Sequence, residues 1–214
     1  MATSEVLSRR VLQRLMRYYR FLVEATARRP IRTITSGEIA EALEIDATQV
    51  RKDLGSIGLL GLGRVGFDVC EICRAIRTTV GFDLRHEAVL IGAGHLGAAL
   101  LNYPGFATFG LDIIAAFDLD RRKVGRTIGD ARVRSMDALS SFIRQHRVPL
   151  AMITTPAEVA QQVTNLCVAA GVKAIWNFSP TQLTVPKRVL VYHEHIALGL
   201  SVLAYHLNGR VSQN

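Results

Sequence analysis

The chain predicts a two-domain α/β fold. A winged helix-turn-helix module occupies residues 1–84, a doubly wound parallel sheet of Rossmann type residues 85–195, and a last helix with its tail residues 196–214. Three observations predict this. Up to Ile57 the apolar residues recur at helical spacing, interrupted by turn signals. From Ala88 onward, short all-apolar runs alternate with helical stretches, the pattern of strand-helix-strand units. The net charge of +8, from 26 basic and 18 acidic side chains, is concentrated at the start: residues 1–36 hold eight arginines against two glutamates, a net of +6. A basic surface concentrates phosphates in its field, so this segment is where a polyanionic partner is sought.

With 214 residues, 49% of them hydrophobic and 21% charged, the chain can bury a core, and its composition excludes a disordered, collagenous or disulfide-framework protein. The least charged stretch, around residues 88–119, is broken by His95, Pro104, Asp112 and Asp118, so no membrane span is expected. The first residues mix Ser, Glu and Arg and lack the apolar run of a signal peptide. Cys70, Cys73 and Cys167 are too few and too unevenly spaced for a disulfide scaffold. The expected compartment is the cytoplasm.

In the first domain, Leu7, Val11, Leu15, Tyr18, Leu22 and Ala25 form one apolar stripe over residues 5–29, with Arg9, Arg10, Arg17 and Arg28 off it, and Arg29-Pro30 ends the helix. Thr35-Ser36-Gly37-Glu38 fits a capping box that starts a short helix reaching about Leu43. Asp46 caps a third helix, whose buried stripe is Val50, Leu54 and Ile57, leaving Gln49, Arg51, Lys52 and Asp53 on other faces. In a helix-turn-helix the second of the two helices enters the major groove, where Arg and Lys donate to guanine or phosphate and Gln bonds adenine. Gln49, Arg51 and Lys52 are therefore the candidate readers of DNA, with Arg51 and Lys52 leading. A three-helix module that binds a protein and merely solvates its basic face is the alternative.

Gly55, Gly58, Gly61, Gly63 and Gly66 punctuate Leu59-Leu60 and Val65-Gly66-Phe67, which suits a short hairpin with Arg64 near its tip. Such a wing lies along the minor groove, whose negative potential attracts an arginine. Cys70-Glu71-Ile72-Cys73 has metal or redox spacing, but residues 68–80 read as a helix with Val69, Ile72, Cys73 and Ile76 inward. Two buried cysteines are expected, and no metal, because no second ligand pair completes a site.

In the second domain the strand Ala88-Val89-Leu90-Ile91 runs into Gly92-Ala93-Gly94-His95-Leu96-Gly97 and then a helix. The first glycine permits a tight turn, the second clears space for a pyrophosphate, and the third lets the helix pack on the strand. A second strand over residues 111–117 ends in Asp118-Leu119-Asp120, where the acid that binds a ribose diol belongs. An acid there favours NAD(H), although Arg121, Arg122 and Lys123 leave NADP open. Further strands are expected over residues 150–154, 174–178 and 189–192, and helices over 137–146, 158–170 and 196–207. Thr154-Thr155-Pro156 and Asn177-Phe178 close two strands at the carboxyl edge, where such sheets bind ligands; their ordinary role is turn chemistry. No catalytic constellation accompanies the fold, and no residues remain for a substrate domain, so no enzyme is expected. His193-Glu194-His195 reads as a polar strand end rather than a metal site.

This pairing resembles the Rex family of redox-sensing transcriptional repressors over about residues 11–207. The resemblance is carried by Gln49-Val50-Arg51-Lys52-Asp53-Leu54, Val65-Gly66-Phe67-Asp68-Val69, the glycine turn followed by Ala99-Leu100-Leu101-Asn102-Tyr103-Pro104-Gly105-Phe106, Asp118-Leu119-Asp120 with Lys123-Val124-Gly125, and Asn177-Phe178-Ser179-Pro180. It implies a homodimer that binds operator DNA when the NADH/NAD ratio is low and lets go when NADH binds, with the last helix exchanged between subunits. The chain departs from the family at three places: Gly63-Arg64-Val65-Gly66-Phe67 stands where the family has Arg-Gly-Val-Gly-Tyr, Gly55 replaces a serine, and His195 replaces an aspartate. That aspartate forms a redox-dependent switch with an arginine and a tyrosine, which match Arg20 and Tyr103; Glu194 is the neighbouring carboxylate that takes over the pairing if the switch is rewired.

Overall fold

The computed structural model describes residues 7–195 and 197–207, the side chains of Arg64 and Val202 excepted. The chain divides into two compact units, Met1–Leu84 and Arg85–Asn214.

The first unit is built on α1 (Arg9–Arg28), whose Ser8 cap accepts from the Val11 amide and whose stripe buries Leu15, Tyr18 and Leu22. After β1 (Thr33–Ile34) comes α2 (Ser36–Leu43). Its capping box is complete: the Glu38 amide donates to Thr35 Oγ1 at 3.2 Å and the Thr35 amide donates to Glu38 Oε2 at 2.7 Å. Asp46 caps α3 (Ala47–Ser56), accepting from the Gln49 amide at 3.0 Å. A 3-10 turn, Gly63–Val65, leads to β2 (Phe67–Asp68) and α4 (Val69–Val80). Leu15, Tyr18, Leu22, Ile39, Val50, Leu54, Ile72 and Ile76 close one core at full burial.

Three expectations are corrected here. Asp53 does not sit on an outer face of α3: it is 2% exposed. Position 53 follows Val50 by three residues and so lies on the buried stripe, and the acid is tolerated because donors from α1 and α3 surround it. The wing is not a hairpin of Leu59-Leu60 against Val65-Phe67. Phe67–Asp68 pairs antiparallel with Thr33–Ile34 instead, and Gly58, Gly63 and Gly66, all at positive φ, curl the intervening chain rather than extend it. The loop closes through the Leu62 amide on the Gly66 carbonyl at 2.7 Å. Cys70 is exposed and Cys73 only half-buried, because position 70 is turned about 100° from Val69, off the buried stripe of Val69, Ile72 and Ile76, and position 73 falls at the edge of that stripe.

The second unit orders its sheet β5-β6-β4-β3-β7-β8-β9. The strands are β3 (His86–Ile91), β4 (Leu111–Asp118), β5 (Thr127–Ile128), β6 (Ala131–Ser135), β7 (Leu150–Ile153), β8 (Ala174–Asn177) and β9 (Leu190–His193). All neighbours pair parallel except β5 with β6. The helices are α5 (His95–Leu101), α6 (Gly105–Thr108), α7 (Leu139–His146), α8 (Ala157–Ala170) and α9 (Leu198–Leu207). Central strands are apolar on both faces, Val89, Ile91, Ala151 and Ile153 being buried with Phe117 and Ile175 under α7 and α8. The β5-β6 hairpin and α6 carry no strong sequence signal. In β6, Ala131 and Val133 point inward while Arg132 and Arg134 alternate outward, the signature of a strand near the sheet edge rather than its centre. β3 lies between β4 and β7, so the strand order reverses there, and a crevice opens at the carboxyl ends of these three strands.

Candidate functional site

That crevice holds a cavity of about 450 Å3, lined among others by Gly92, Gly94, Asp118, Lys123, Thr154, Thr155 and Pro156. Each glycine of the turn after β3 has its own reason to be there. Gly92 sits at φ 103°, and a Cβ on it would lie 3.0 Å from the Thr154 carbonyl. A Cβ on Gly97 would collide with the Gly92 carbonyl oxygen, so α5 packs directly on the turn. A Cβ on Gly94 would meet nothing within 4 Å, because the space in front of it is open. The turn is tied down on both sides: the Gly92 amide donates to the Phe117 carbonyl at 2.8 Å, and Thr154 Oγ1 donates to the Gly92 carbonyl at 2.7 Å.

Asp118 ends β4 in the cavity wall. Its Oδ1 accepts from the Asp120 amide at 2.8 Å and its Oδ2 from Lys123 Nζ at 2.9 Å. Thr155 Oγ1 is buried with no partner, while the Thr155 carbonyl accepts from Ser179 Oγ at 2.5 Å, tying the loop after β8 to the same wall. Lys123, Met136, Val159 and Val163 also line the cavity. The two valines lie four apart on α8, a spacing visible in the sequence; Lys123 reaches Asp118 only because the chain turns back after β4.

Other candidates lie elsewhere. Ala93 is buried with Ala116 and Val133, His95 is exposed at the start of α5, and Leu96 is half-buried. Asn177 does not face the cavity. It is buried, with Oδ1 accepting from the Ser179 amide at 3.0 Å and Nδ2 donating to the Thr181 carbonyl at 2.8 Å, so it shapes the loop that carries Ser179. Phe178 packs against Trp176 with ring centroids 5.0 Å apart. Tyr103 is exposed, edge-on to Phe106 at 5.0 Å, beside a separate cavity of about 250 Å3 that it lines with Asn102, Asp112 and Asp130.

In the first unit, Arg51 is exposed on α3, where Nη1 donates to Ser36 Oγ and Nη2 to Thr48 Oγ1, both at 3.1 Å. A cavity of about 390 Å3 lies between Arg51, Thr35, Ser36, Gly55 and the wing glycines. Lys52, the next residue of α3, is exposed. Gln49 is half-buried and its Nε2 donates to Asp53 Oδ1 at 2.8 Å, so one donor needed to read adenine is already engaged. Arg64 belongs to the 3-10 turn, and its side chain lies outside the described residues.

Asp53 is the centre of a group of four side-chain hydrogen bonds. Arg14 grips it with Nε and Nη2 at 2.6 and 2.7 Å, and the Tyr18 hydroxyl donates at 2.7 Å. Burial pushes its carboxyl up, but the Arg14, Tyr18 and Gln49 donors outweigh this and hold it below the usual carboxylate range. This ties α3 to α1.

Arg20 pairs with Glu24 at 2.9 Å on the surface of α1. Glu194 accepts from Trp176 Nε1 at 3.3 Å, and His195 is exposed with its ring 6.2 Å from that of His193. Among the described residues no cluster of three or more His, Cys, Asp or Glu could hold a metal, and no helix is long and apolar enough to cross a membrane.

The chain matches two families, "CoA binding domain" over residues 83–181 and "Putative DNA-binding protein N-terminus" over residues 6–55. It is 38% identical to the redox-sensing transcriptional repressor Rex of Treponema denticola, over 97% of this chain and 99% of that one. It is 37% identical to Rex of Clostridioides difficile, over 93% and 94%. Two solved structures of RSP superpose with a TM-score of 0.88: one in complex with beta-NAD+ and operator DNA, at 33% identity over 96% of this chain and 94% of that chain, and one in complex with beta-NADH, at 32% over 96% of each.

Proposed function

Because the chain belongs to the Rex family of redox-sensing transcriptional repressors, we propose that it binds operator DNA as a homodimer and releases it when NADH binds. The observation that carries this is the presence, in one chain, of a cavity at the sheet's reversal point and of a helix-turn-helix whose second helix exposes Arg51 and Lys52.

The cavity fits a nicotinamide dinucleotide. The open space before Gly94 admits a pyrophosphate, and the Asp118 carboxylate keeps acceptor capacity for a ribose diol. When bound, such a molecule supplies a redox couple whose two forms differ in charge at the nicotinamide ring. The residues of this chain turn that difference into a preference between conformations. Residues 1–84 contact DNA, Arg51 at base edges and Lys52 at phosphate; residues 85–195 hold the dinucleotide; the last segment, 196–214, of which residues 196 and 208–214 lie outside the described residues, exchanges between subunits. The last assignment is supported by α9, which leaves Leu198, Leu200, Leu203 and Leu207 60–83% exposed. Arg20, Tyr103 and His195 match the family's switch positions, and with a histidine in place of the aspartate the switch is either rewired through Glu194 or lost.

NADH shifts the dimer only by its differential affinity for the two states, and by linkage DNA weakens NADH by the same factor, typically about 5- to 150-fold. The protein works in the cytoplasm as a regulator, not an enzyme. A gel shift on promoter DNA from the source genome tests this. Retardation that NADH abolishes and NAD+ leaves intact is expected, and turnover of a hydroxy acid or aldehyde without DNA binding would favour a small oxidoreductase instead.

A further inference from the structure

We propose that Lys123 sets the choice between NAD(H) and NADP(H): it is the group able to hold a 2′-phosphate, and Asp118 keeps it occupied. This rests on the reading of the cavity as a dinucleotide site.

Among three consecutive basic residues, only Lys123 lines the cavity. Arg122 is paired with Asp120, its Nε and Nη2 3.0 and 2.9 Å from that residue's two oxygens. Those bonds, with that from the Arg122 amide, hold Asp120 down at about 2. Lys123 instead runs along the wall, its side chain 32% exposed, and places Nζ 2.9 Å from Asp118 Oδ2.

An ammonium has three donors and a carboxylate about four acceptor positions. Lys123 spends one donor on Asp118. Asp118 spends one position on Lys123 and one on the Asp120 amide, which leaves two acceptor positions for a 2′,3′-diol. A 2′-phosphate offers no hydrogens to those positions and meets the carboxylate's charge. Removing that charge shifts the balance toward a phosphate, because two or three ammonium donors then face the same place with Asp120, already paired with Arg122, as the neighbouring carboxylate. Charge-assisted bonds of this kind correspond to on the order of ten- to a hundredfold in affinity. Asp118 therefore acts twice, once on the ribose and once by neutralising Lys123.

Calorimetric titration of the full chain with NADH and with NADPH tests this in wild type, Asp118→Asn, Lys123→Met and the double variant. Wild type is expected to bind NADH at least tenfold more tightly than NADPH. Asp118→Asn should weaken NADH and tighten NADPH at least tenfold, and adding Lys123→Met should erase that gain. Lys123→Met alone should widen the NADH preference, since Asp118 then repels the phosphate without compensation; this arm decides the matter if Asp118→Asn does not fold. NADPH affinity unchanged in Asp118→Asn, a gain that survives Lys123→Met, or an unwidened preference in Lys123→Met would overturn the proposal. A wild type that binds neither dinucleotide overturns the cavity's reading itself, and this proposal with it.

Discussion

Replacing Asp53 by alanine is expected to destabilise the N-terminal unit by about 3 kcal/mol, the lower end of the cost of breaking a buried ion pair. The magnitude follows from what is stranded. Arg14 is 24% exposed and can return part of its guanidinium to water, so its loss of a partner costs less than that of a fully buried charge. Tyr18 is fully buried, and its hydroxyl left without an acceptor costs about 1–3 kcal/mol by itself. The hole left by the carboxylate adds to this. Hydrogen exchange of α1 and α3 amides reads the effect locally, while Trp176, the single tryptophan, reports the other unit by fluorescence and serves as the control. The carboxyl's folded value lies below the unfolded value of about 3.9. Its contribution is therefore complete above that pH and disappears as the pH falls through the folded value. Asp53→Asn should accordingly lose less stability than wild type on acidification. A cost below about 1 kcal/mol for Asp53→Ala would refute this reasoning, since it would mean that the four bonds hold nothing the solvent does not replace.

Four further outcomes are expected. Gly94→Val should abolish NADH binding while leaving the melting temperature nearly unchanged, because its Cβ enters open space; calorimetry and a thermal melt check both halves. Gly97→Ala should instead destabilise the second unit, since its Cβ meets the Gly92 carbonyl, and a thermal melt followed by Trp176 fluorescence reads it. Arg51→Ala should cost about 1–3 kcal/mol of operator binding and relax base preference at one position, as competition with substituted operators would show. Lys52→Ala should weaken binding to all sequences alike and reduce the slope of log affinity against log salt by about one.

The sheet and its glycine turn were legible because their signals are local. An all-apolar strand followed at once by Gly92, Gly94 and Gly97 leaves little other geometry, and the acid at 118 falls where β4 must end. What escaped is whatever depends on distant residues meeting. Asp53 reads as a surface acid until α1 brings Arg14 and Tyr18 against it, 39 and 35 residues away in the chain. Lys123 reads as one of three interchangeable cations until the turn separates it from Arg122. The glycine-rich wing suggested a hairpin because β1, its true partner, is two residues long and carries no pattern of its own. Asn177 lies at the expected strand end, yet its hydrogen bonds fold the Ser179 loop rather than point into the cavity.

The most direct measurement is the affinity of the full chain for a fluorescent promoter fragment, by anisotropy, as NADH replaces NAD+ at constant total dinucleotide. Tight binding in NAD+ that weakens at least fivefold as NADH rises, with NADH affinity reduced by the same factor when DNA is present, is the expected result. Operator affinity that stays constant across the whole range of NADH/NAD+ ratios would contradict it.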